Sequence, residues 1–172
     1  ARLEAGAIET SLEQFDLGEV VRSATELYEP LAEERGLVIA CEAPDGVGVR
    51  ANRQLIGQAV ANLIDNAIKH AGRGTEPVVR VMLGRGVDGP EISVADRGPG
   101  IPAVDRARVM KRFVRLETSR TDPGTGLGLS LVAAVARLHG GKVRLEDNSP
   151  GLRVVLALPA TLAGAGHATR PA

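Results

Sequence analysis

The chain has 172 residues, enough for one domain with a core and short appendages but too few for two large domains. Hydrophobic residues make up 44% and aromatic residues only 2%, so the core is expected to consist of Val, Leu, Ile and Ala. Lys and Arg together number 21, as do Asp and Glu, which excludes a broad basic surface for nucleic acid. The single cysteine, Cys41, excludes an internal disulfide, and no apolar run reaches the roughly 20 residues of a membrane span.

The first part of the chain predicts a strand, a helix, two short strands and a second helix, at residues 11–17, 17–35, 37–44, 46–52 and 53–71. Asp16 can cap the first helix, and Gly36 can end it. The apolar side of this helix is predicted to carry Val20, Val21, Leu27 and Leu31. A Pro-Asp-Gly turn at 44–46 separates the two short strands.

The second part predicts a hairpin, a short helix, a longer helix and a final hairpin, at residues 77–84 with 90–96, 104–113, 127–139, and 142–147 with 152–159. Gly140 and Gly141 end the longer helix, and residues 114–126 are a polar loop. Because strands and helices do not alternate regularly, we predict an α+β two-layer sandwich, with a mixed, mostly antiparallel sheet packed on one side by helices. The domain is expected to span residues 11–160, and residues 161–172 are predicted to be a disordered tail.

The second long helix carries an unusual polar face. On a helical wheel, its apolar side contains Ile56, Val60, Leu63, Ile64 and Ala67. The opposite side contains Gln58, Asn62, Asn66 and Lys69, and is predicted to face away from the core. Asn is a poor helix former, whereas amide oxygens can coordinate a hard cation and a Lys ammonium can hold phosphate. Taken alone, the pattern is equally compatible with a binding site and with an ordinary solvated surface.

A second candidate stretch is Asp96 followed by Gly98 and Gly100, at the end of a predicted strand. Glycines allow the backbone to approach a flat ligand closely, and the carboxylate can accept a hydrogen bond from an exocyclic amine. This pattern would suit adenine. An ordinary Asp-Gly turn is the alternative.

A third stretch, at residues 122–132, has Gly124, Gly126 and Gly128 leading directly into an apolar helix. The free backbone N–H groups of such a helix start favour phosphate. The spacing is neither a dinucleotide fingerprint nor a P-loop. A tight turn remains the alternative for this segment taken alone.

These stretches occur in a fixed order. The segments NLIDNAIKH (62–70), DRGPGIP (96–102), KRFVR (111–115) and GTGLGLSLV (124–132) resemble the N, G1, F and G2 boxes of the ATP-binding catalytic domain of sensor histidine kinases. The resemblance covers about residues 12–159. It implies the Bergerat-type fold, a Mg·ATP site beneath a mobile lid, and transfer of the ATP γ-phosphoryl group to a histidine in a two-component phosphorelay.

The resemblance also implies roles for individual residues. Asn66 would coordinate Mg²⁺, Asn62 and Lys69 would lie at the phosphates, His70 would flank the adenine, and Asp96 would bind its amino group. Ligand contacts would also come from the adenine wall and the phosphate cradle, which comprise Gly98, Gly100, Ile101, Thr125, Gly126, Leu127, Gly128 and Leu129. The catalytic set would be Asn62, Lys69 and a lid arginine, with Arg115 favoured over Arg120; Phe113 would be the F-box residue. Relatives often carry Thr where this chain has Leu152 and Arg153, which weakens the expectation of water-mediated support for Asp96 from the last strand.

The phosphoacceptor is expected outside this sequence. None of the three histidines lies in the acceptor context of the family, and His139 is interpreted as a helix C-terminal residue favoured by the dipole. Residues 1–10 resemble the end of the preceding dimerisation helix or a linker. We expect a monomeric fragment of a homodimeric protein, a cytoplasmic domain whose full-length protein could be anchored to the inner membrane, and a response regulator as partner. The alternatives are a non-catalytic nucleotide-responsive module and an anti-sigma-type protein serine kinase.

Overall fold

The structure is a computed structural model that describes residues 11–71, 76–99, 104–106 and 129–162. In chain order, its helices and strands are β1 (Glu13–Asp16), α1 (Leu17–Glu34), β2 (Val38–Glu42), β3 (Gly48–Ala51), α2 (Arg53–Ala71), β4 (Val78–Arg85), β5 (Pro90–Asp96), α3 (Leu129–Leu138), β6 (Lys142–Asp147) and β7 (Leu152–Ala157). A short 3₁₀ turn at Ala160–Leu162 follows β7. These bounds confirm the predicted elements within the described ranges, including α2, whose ends coincide with those predicted.

The strands form two sheets. The larger sheet has the order β2-β4-β5-β7-β6; β2 and β4 pair in parallel, whereas the other neighbours are antiparallel. Strands β1 and β3 form a separate antiparallel pair. Both predicted hairpins, β4 with β5 and β6 with β7, are therefore present, and the predicted mixed, mostly antiparallel sheet is confirmed.

Local signals in the sequence set the ends of the helices. Asp16 caps α1, because its side-chain Oδ1 accepts the main-chain N–H of Gly18 at 3.3 Å and that of Val47 at 3.2 Å. Gly36 follows α1 with a φ of +72°, and Gly140 follows α3 with a φ of +76°. Both glycines adopt the left-handed conformation that ends a helix.

One hydrophobic core lies between the helices and one face of the large sheet. Strand β4 shows the alternation that produces it, since Val79, Val81 and Leu83 are buried while Arg80 between them is exposed. The predicted apolar stripe of α2 is confirmed, because all five of its residues are buried in this core.

The prediction for one residue on the apolar side of α1 is wrong. Leu27 of α1 is 70% exposed, although Val20 and Val21 are buried as predicted. Leu27 lines an open groove of about 360 Å³ between α1 and α2, together with Gly57 and Ala61. These two small residues of α2 leave the outer edge of the apolar side of α1 uncovered. None of the helices within the described residues is long and apolar enough to cross a membrane.

Candidate nucleotide-binding site

Asp96 is the last residue of β5, and its side chain is held in a buried position. It is 4% exposed. Its Oδ1 accepts the main-chain N–H of Gly98 at 2.8 Å, and the main-chain N–H of Leu152 also donates to the carboxylate. Burial raises the pKa of Asp96, while these hydrogen bonds and the nearby His70 lower it in part. The result is a buried acceptor in a fixed orientation.

The backbone of Asp96 is held by the turn between β6 and β7. The side-chain Nδ2 of Asn148 donates to the Asp96 carbonyl at 2.8 Å. A Cβ at Gly151 would lie 1.9 Å from the same carbonyl oxygen, so only glycine allows this close approach. Side-chain support from the last strand was in doubt; the strand supports Asp96 through the main chain of Leu152, while the side chain of Arg153 donates to Glu146 at 2.7 Å.

Gly98 brings the end of β5 against the end of α2. A Cβ at Gly98 would lie 2.4 Å from the main-chain oxygen of His70, closer than real Cβ atoms approach. The His70 ring in turn bonds through Nδ1 to the main-chain oxygen of Asn66 at 2.8 Å. The second and first candidate stretches of the sequence therefore meet here, with Asp96 and Gly98 beside the last turn of α2.

The polar side of α2 differs from the prediction. Gln58 and Lys69 are exposed and Asn62 is partly exposed, but Asn66 is buried rather than open to solvent. Helix α2 packs against α1, α3 and strands β4 and β5, and its buried arc is wider than that of a surface helix.

Lys69 lies at the solvent side of the same helix end. Its Nζ forms an ion pair with Oδ2 of Asp65 at 3.0 Å, one helical turn away. Its side chain is 59% exposed, so the pair contributes little to stability and the ammonium stays accessible to an anion.

The remaining predicted site residues divide into two groups. Leu129 is described: it is the first residue of α3 and is buried. The others lie outside the described residues, namely Gly100, Ile101, Phe113, Arg115, Arg120, Thr125, Gly126, Leu127 and Gly128.

His139 directly follows the last residue of α3, as predicted, but its burial opposes the favourable effect of the helix dipole. His139 is 6% exposed, and burial lowers its pKa, with the Val135 carbonyl partly offsetting the effect. Desolvation disfavours the charged ring more strongly than the hydrogen bond to Val135 favours it. Asn148 and Gly151 were not predicted as site residues, because their only signal was an ordinary Asn-Ser-Pro-Gly turn, which does not indicate that the turn packs on Asp96.

Comparison with known proteins identifies the class to which this fold and site belong. The sequence model described as "Histidine kinase-, DNA gyrase B-, and HSP90-like ATPase" matches residues 51–162, more than half of the chain. The chain therefore belongs to this family of ATPases. The predicted family and fold are confirmed.

Relatives within the family are sensor kinases. The sensor-like histidine kinase SenX3 of Mycolicibacterium smegmatis is 34% identical over 163 residues, covering 92% of this chain and 42% of that protein. The catalytic domain of histidine kinase ThkA superimposes with a TM-score of 0.72 at 26% identity, covering 87% of this chain and 95% of that one. Full-length ShkA in complex with AMPPNP gives 0.71 at 28% identity, covering 90% and 32%. The chain thus spans less than half of SenX3 and corresponds to a catalytic domain.

Proposed function

We propose that this chain is the ATP-binding catalytic domain of a two-component sensor histidine kinase. It would bind Mg·ATP and transfer the γ-phosphoryl group to a histidine on a dimerisation domain that this sequence does not include. The observation that carries the proposal is the buried Asp96 carboxylate, held at the end of β5 against the helix end that bears Asn66, Lys69 and His70. Membership of the ATPase family and the histidine kinases among its relatives support it.

Asp96 is the proposed adenine-binding group. An ionised carboxylate accepts hydrogen bonds and donates none, and the exocyclic amine of adenine is a donor. Two main-chain N–H groups already orient the carboxylate. Gly98 would form the adjacent wall and His70 would flank the ring, since their backbones are in contact.

The phosphates and Mg²⁺ are proposed to lie along the polar side of α2. Among the described residues, no group of three or more His, Cys, Asp or Glu side chains could hold a metal ion. A Mg²⁺ ion would therefore be held mainly by phosphate oxygens and water, with the amide oxygen of Asn66 as the protein ligand, which fits the preference of this ion for few protein ligands. The ion would neutralise charge on the triphosphate.

Phosphate binding is proposed for Asn62, Lys69 and the start of α3 at Leu129. The Lys69 ammonium has three donors, so it can bind a phosphate oxygen without leaving Asp65. Gly100, Ile101, Thr125, Gly126, Leu127 and Gly128 are proposed to complete the ligand contacts.

The chemistry would be an in-line transfer. The bond between the γ-phosphorus and its bridging oxygen breaks, a phosphorus–nitrogen bond to the acceptor imidazole forms, ADP leaves, and the imidazole proton passes to a base outside this chain. This domain would contribute positioning and charge stabilisation, with Lys69, Asn62 and Arg115 as the proposed catalytic residues. The phosphoryl group would then pass to a response regulator, and the full-length protein would be a homodimer.

Nucleotide titration of three variants tests the site. Asp96→Asn is expected to weaken ATP binding by about tenfold or more, with or without Mg²⁺, because a hydrogen bond to a charged acceptor is lost. Asn66→Ala should remove mainly the Mg²⁺-dependent part of the affinity. Gln58→Ala, at an exposed position of the same helix, should bind as wild type. Unchanged binding in both site variants would exclude this location for the nucleotide.

The product identifies the reaction. The domain would be incubated with ATP labelled at the γ-phosphate and with the dimerisation domain of its own kinase. Acid-labile label on that domain is expected, since phosphohistidine is acid-labile and phosphoserine is not. Acid-stable label would instead favour the serine kinase, and ATP binding without labelled protein would favour the non-catalytic module.

A further inference from the structure

His139 joins the end of α3 to the start of α2 through both ring nitrogens. Nδ1 bonds to the main-chain oxygen of Val135 at 2.8 Å, and Nε2 bonds to the main-chain nitrogen of Asn52 at 3.2 Å. A carbonyl can only accept and a main-chain N–H can only donate. The ring is therefore neutral, with its proton on Nδ1 and the Nε2 lone pair directed at Asn52.

Asn52 is the residue on which α2 begins. Its side-chain Oδ1 accepts the main-chain N–H of Leu55 at 3.0 Å, and its carbonyl accepts that of Ile56 at 3.0 Å. Asn52 is thus the N-cap of α2, and its own N–H is the group that His139 binds. The hydrogen bonds of His139 connect the cap of one helix to the last turn of another.

This connection sets the register between α2 and α3. The helices contact each other and the end of α3 is bonded to the start of α2, so contact along their length requires that they run in opposite directions. The 10 residues of α3 span about 15 Å at a rise of 1.5 Å per residue. The same distance along α2 from its start reaches Asn62. The start of α3 at Leu129 therefore lies level with the first Asn of the proposed phosphate site.

We propose that His139 is a positioning residue of the nucleotide site, which fixes the phosphate-binding start of α3 in register with Asn62 on α2. The inference rests on the proposed function, because it assigns the two helix segments to the phosphates. It predicts a selective effect: the register determines the phosphate contacts, whereas Asp96 is held separately by Gly98, Leu152 and Asn148. Adenosine binding should therefore not depend on His139.

Two conservative variants isolate the bond to Asn52. In His139→Asn the side-chain amide can reach the Val135 carbonyl but is too short to reach Asn52. In His139→Gln the longer amide can present its oxygen where Nε2 was and accept the Asn52 N–H. Urea denaturation of each variant would confirm that it is folded under the conditions of the binding measurements.

Affinities for ATP with Mg²⁺ and for adenosine would be measured for wild type and both variants. We expect His139→Asn to bind ATP about tenfold more weakly and adenosine within twofold of wild type, and His139→Gln to bind both within twofold. Nitrogen-15 NMR of the wild type should show the proton of His139 on Nδ1, and hydrogen exchange at the Asn52 amide should be slow in the wild type and in His139→Gln.

Each contrary result has a distinct meaning. If the wild type bound neither ligand, the proposed function itself would be wrong. If the wild type bound ATP and folded His139→Asn bound it equally well, or lost ATP and adenosine affinity together, His139 would not position the phosphate site. The same conclusion would follow if His139→Gln bound ATP weakly although its Asn52 amide stayed protected from exchange. If His139→Asn did not fold, this result for His139→Gln would decide whether His139 positions the phosphate site.

Discussion

Gly98 is the residue at which the end of β5 meets the end of α2 in the candidate site. Adding a single Cβ atom at this position tests that contact. A Cβ there would lie 2.4 Å from the His70 carbonyl oxygen, so Gly98→Ala must move the end of β5 away from α2. We expect the substitution to lower the free energy of unfolding by about 1–3 kcal/mol, as overpacking does, and to weaken nucleotide binding. Urea denaturation and nucleotide titration would measure the two effects.

Gly84→Ala in β4 is the matched control, because a Cβ at that position meets nothing within 4 Å. It should change the free energy of unfolding by no more than about 0.5 kcal/mol. If Gly98→Ala were as mild as Gly84→Ala, the close contact between β5 and α2 would be absent from the molecule in solution.

At the residue scale, the sequence predicted the local hydrogen-bonding role of a side chain better than it predicted how deeply that side chain is buried. Asp16 was predicted as a helix cap, and the structure confirms it. The prediction depends only on local sequence, because a short side-chain acceptor directly before a helix can bind the free main-chain N–H groups of its first turn. Asn66 and His139 are both more deeply buried than their positions in the sequence indicated. Their burial depends on neighbouring helices and strands that are distant in sequence, and a helical wheel does not include these neighbours.

At the scale of elements, the connection between α2 and α3 predicts a dependence on pH. Burial lowers the pKa of His139 below its ordinary 6.5, so the unfolded chain takes up this proton at a higher pH than the folded chain does. The stabilising contribution of the neutral ring is therefore fully present above about pH 6.5 and is lost as the pH falls through the lower pKa of the folded state. The urea midpoint of the wild type should fall on acidification from about pH 7 to pH 5.

The matched variant is His139→Gln, which keeps the acceptor for Asn52 but does not titrate. Its midpoint should fall less over the same pH range. Burial raises the pKa of Asp96, which gives the opposite sign, but this group is present in both proteins and its effect cancels in the comparison. Parallel pH profiles of the two proteins would show that the pKa of His139 does not differ between the folded and unfolded chain.

The elements themselves were predictable, because their signals are local. The apolar period of α2, the glycines at 36 and 140, and the turns between strands each act over a few residues. The register between α2 and α3 was not predictable. It depends on His139 and Asn52, which are 87 residues apart and which no local pattern connects.

For the whole molecule, the strands and both hairpins were predicted, but the pairings of β1 with β3, β2 with β4 and β5 with β7 were not. Strands β2 and β3 flank a short turn, yet β2 pairs in parallel with β4 in the large sheet while β3 pairs with β1. A parallel pair needs a long crossover, and α2 lies on the connection from β2 to β4. These pairings join strands that are distant in sequence, and no local pattern connects them.

Two large apolar residues, each predicted on the apolar side of its helix, differ in burial. Ile64 of α2 is fully buried between the helices and the sheet, whereas Leu27 of α1 lies at the open groove. Ile64→Ala should lower the free energy of unfolding by about 2–5 kcal/mol, because it removes buried methyl groups and leaves a cavity between the layers. Leu27→Ala should lower it by no more than about 0.5 kcal/mol, since the side chain is already in water. Urea denaturation would measure both, and similar costs for the two variants would mean that the groove beside Leu27 is filled in solution.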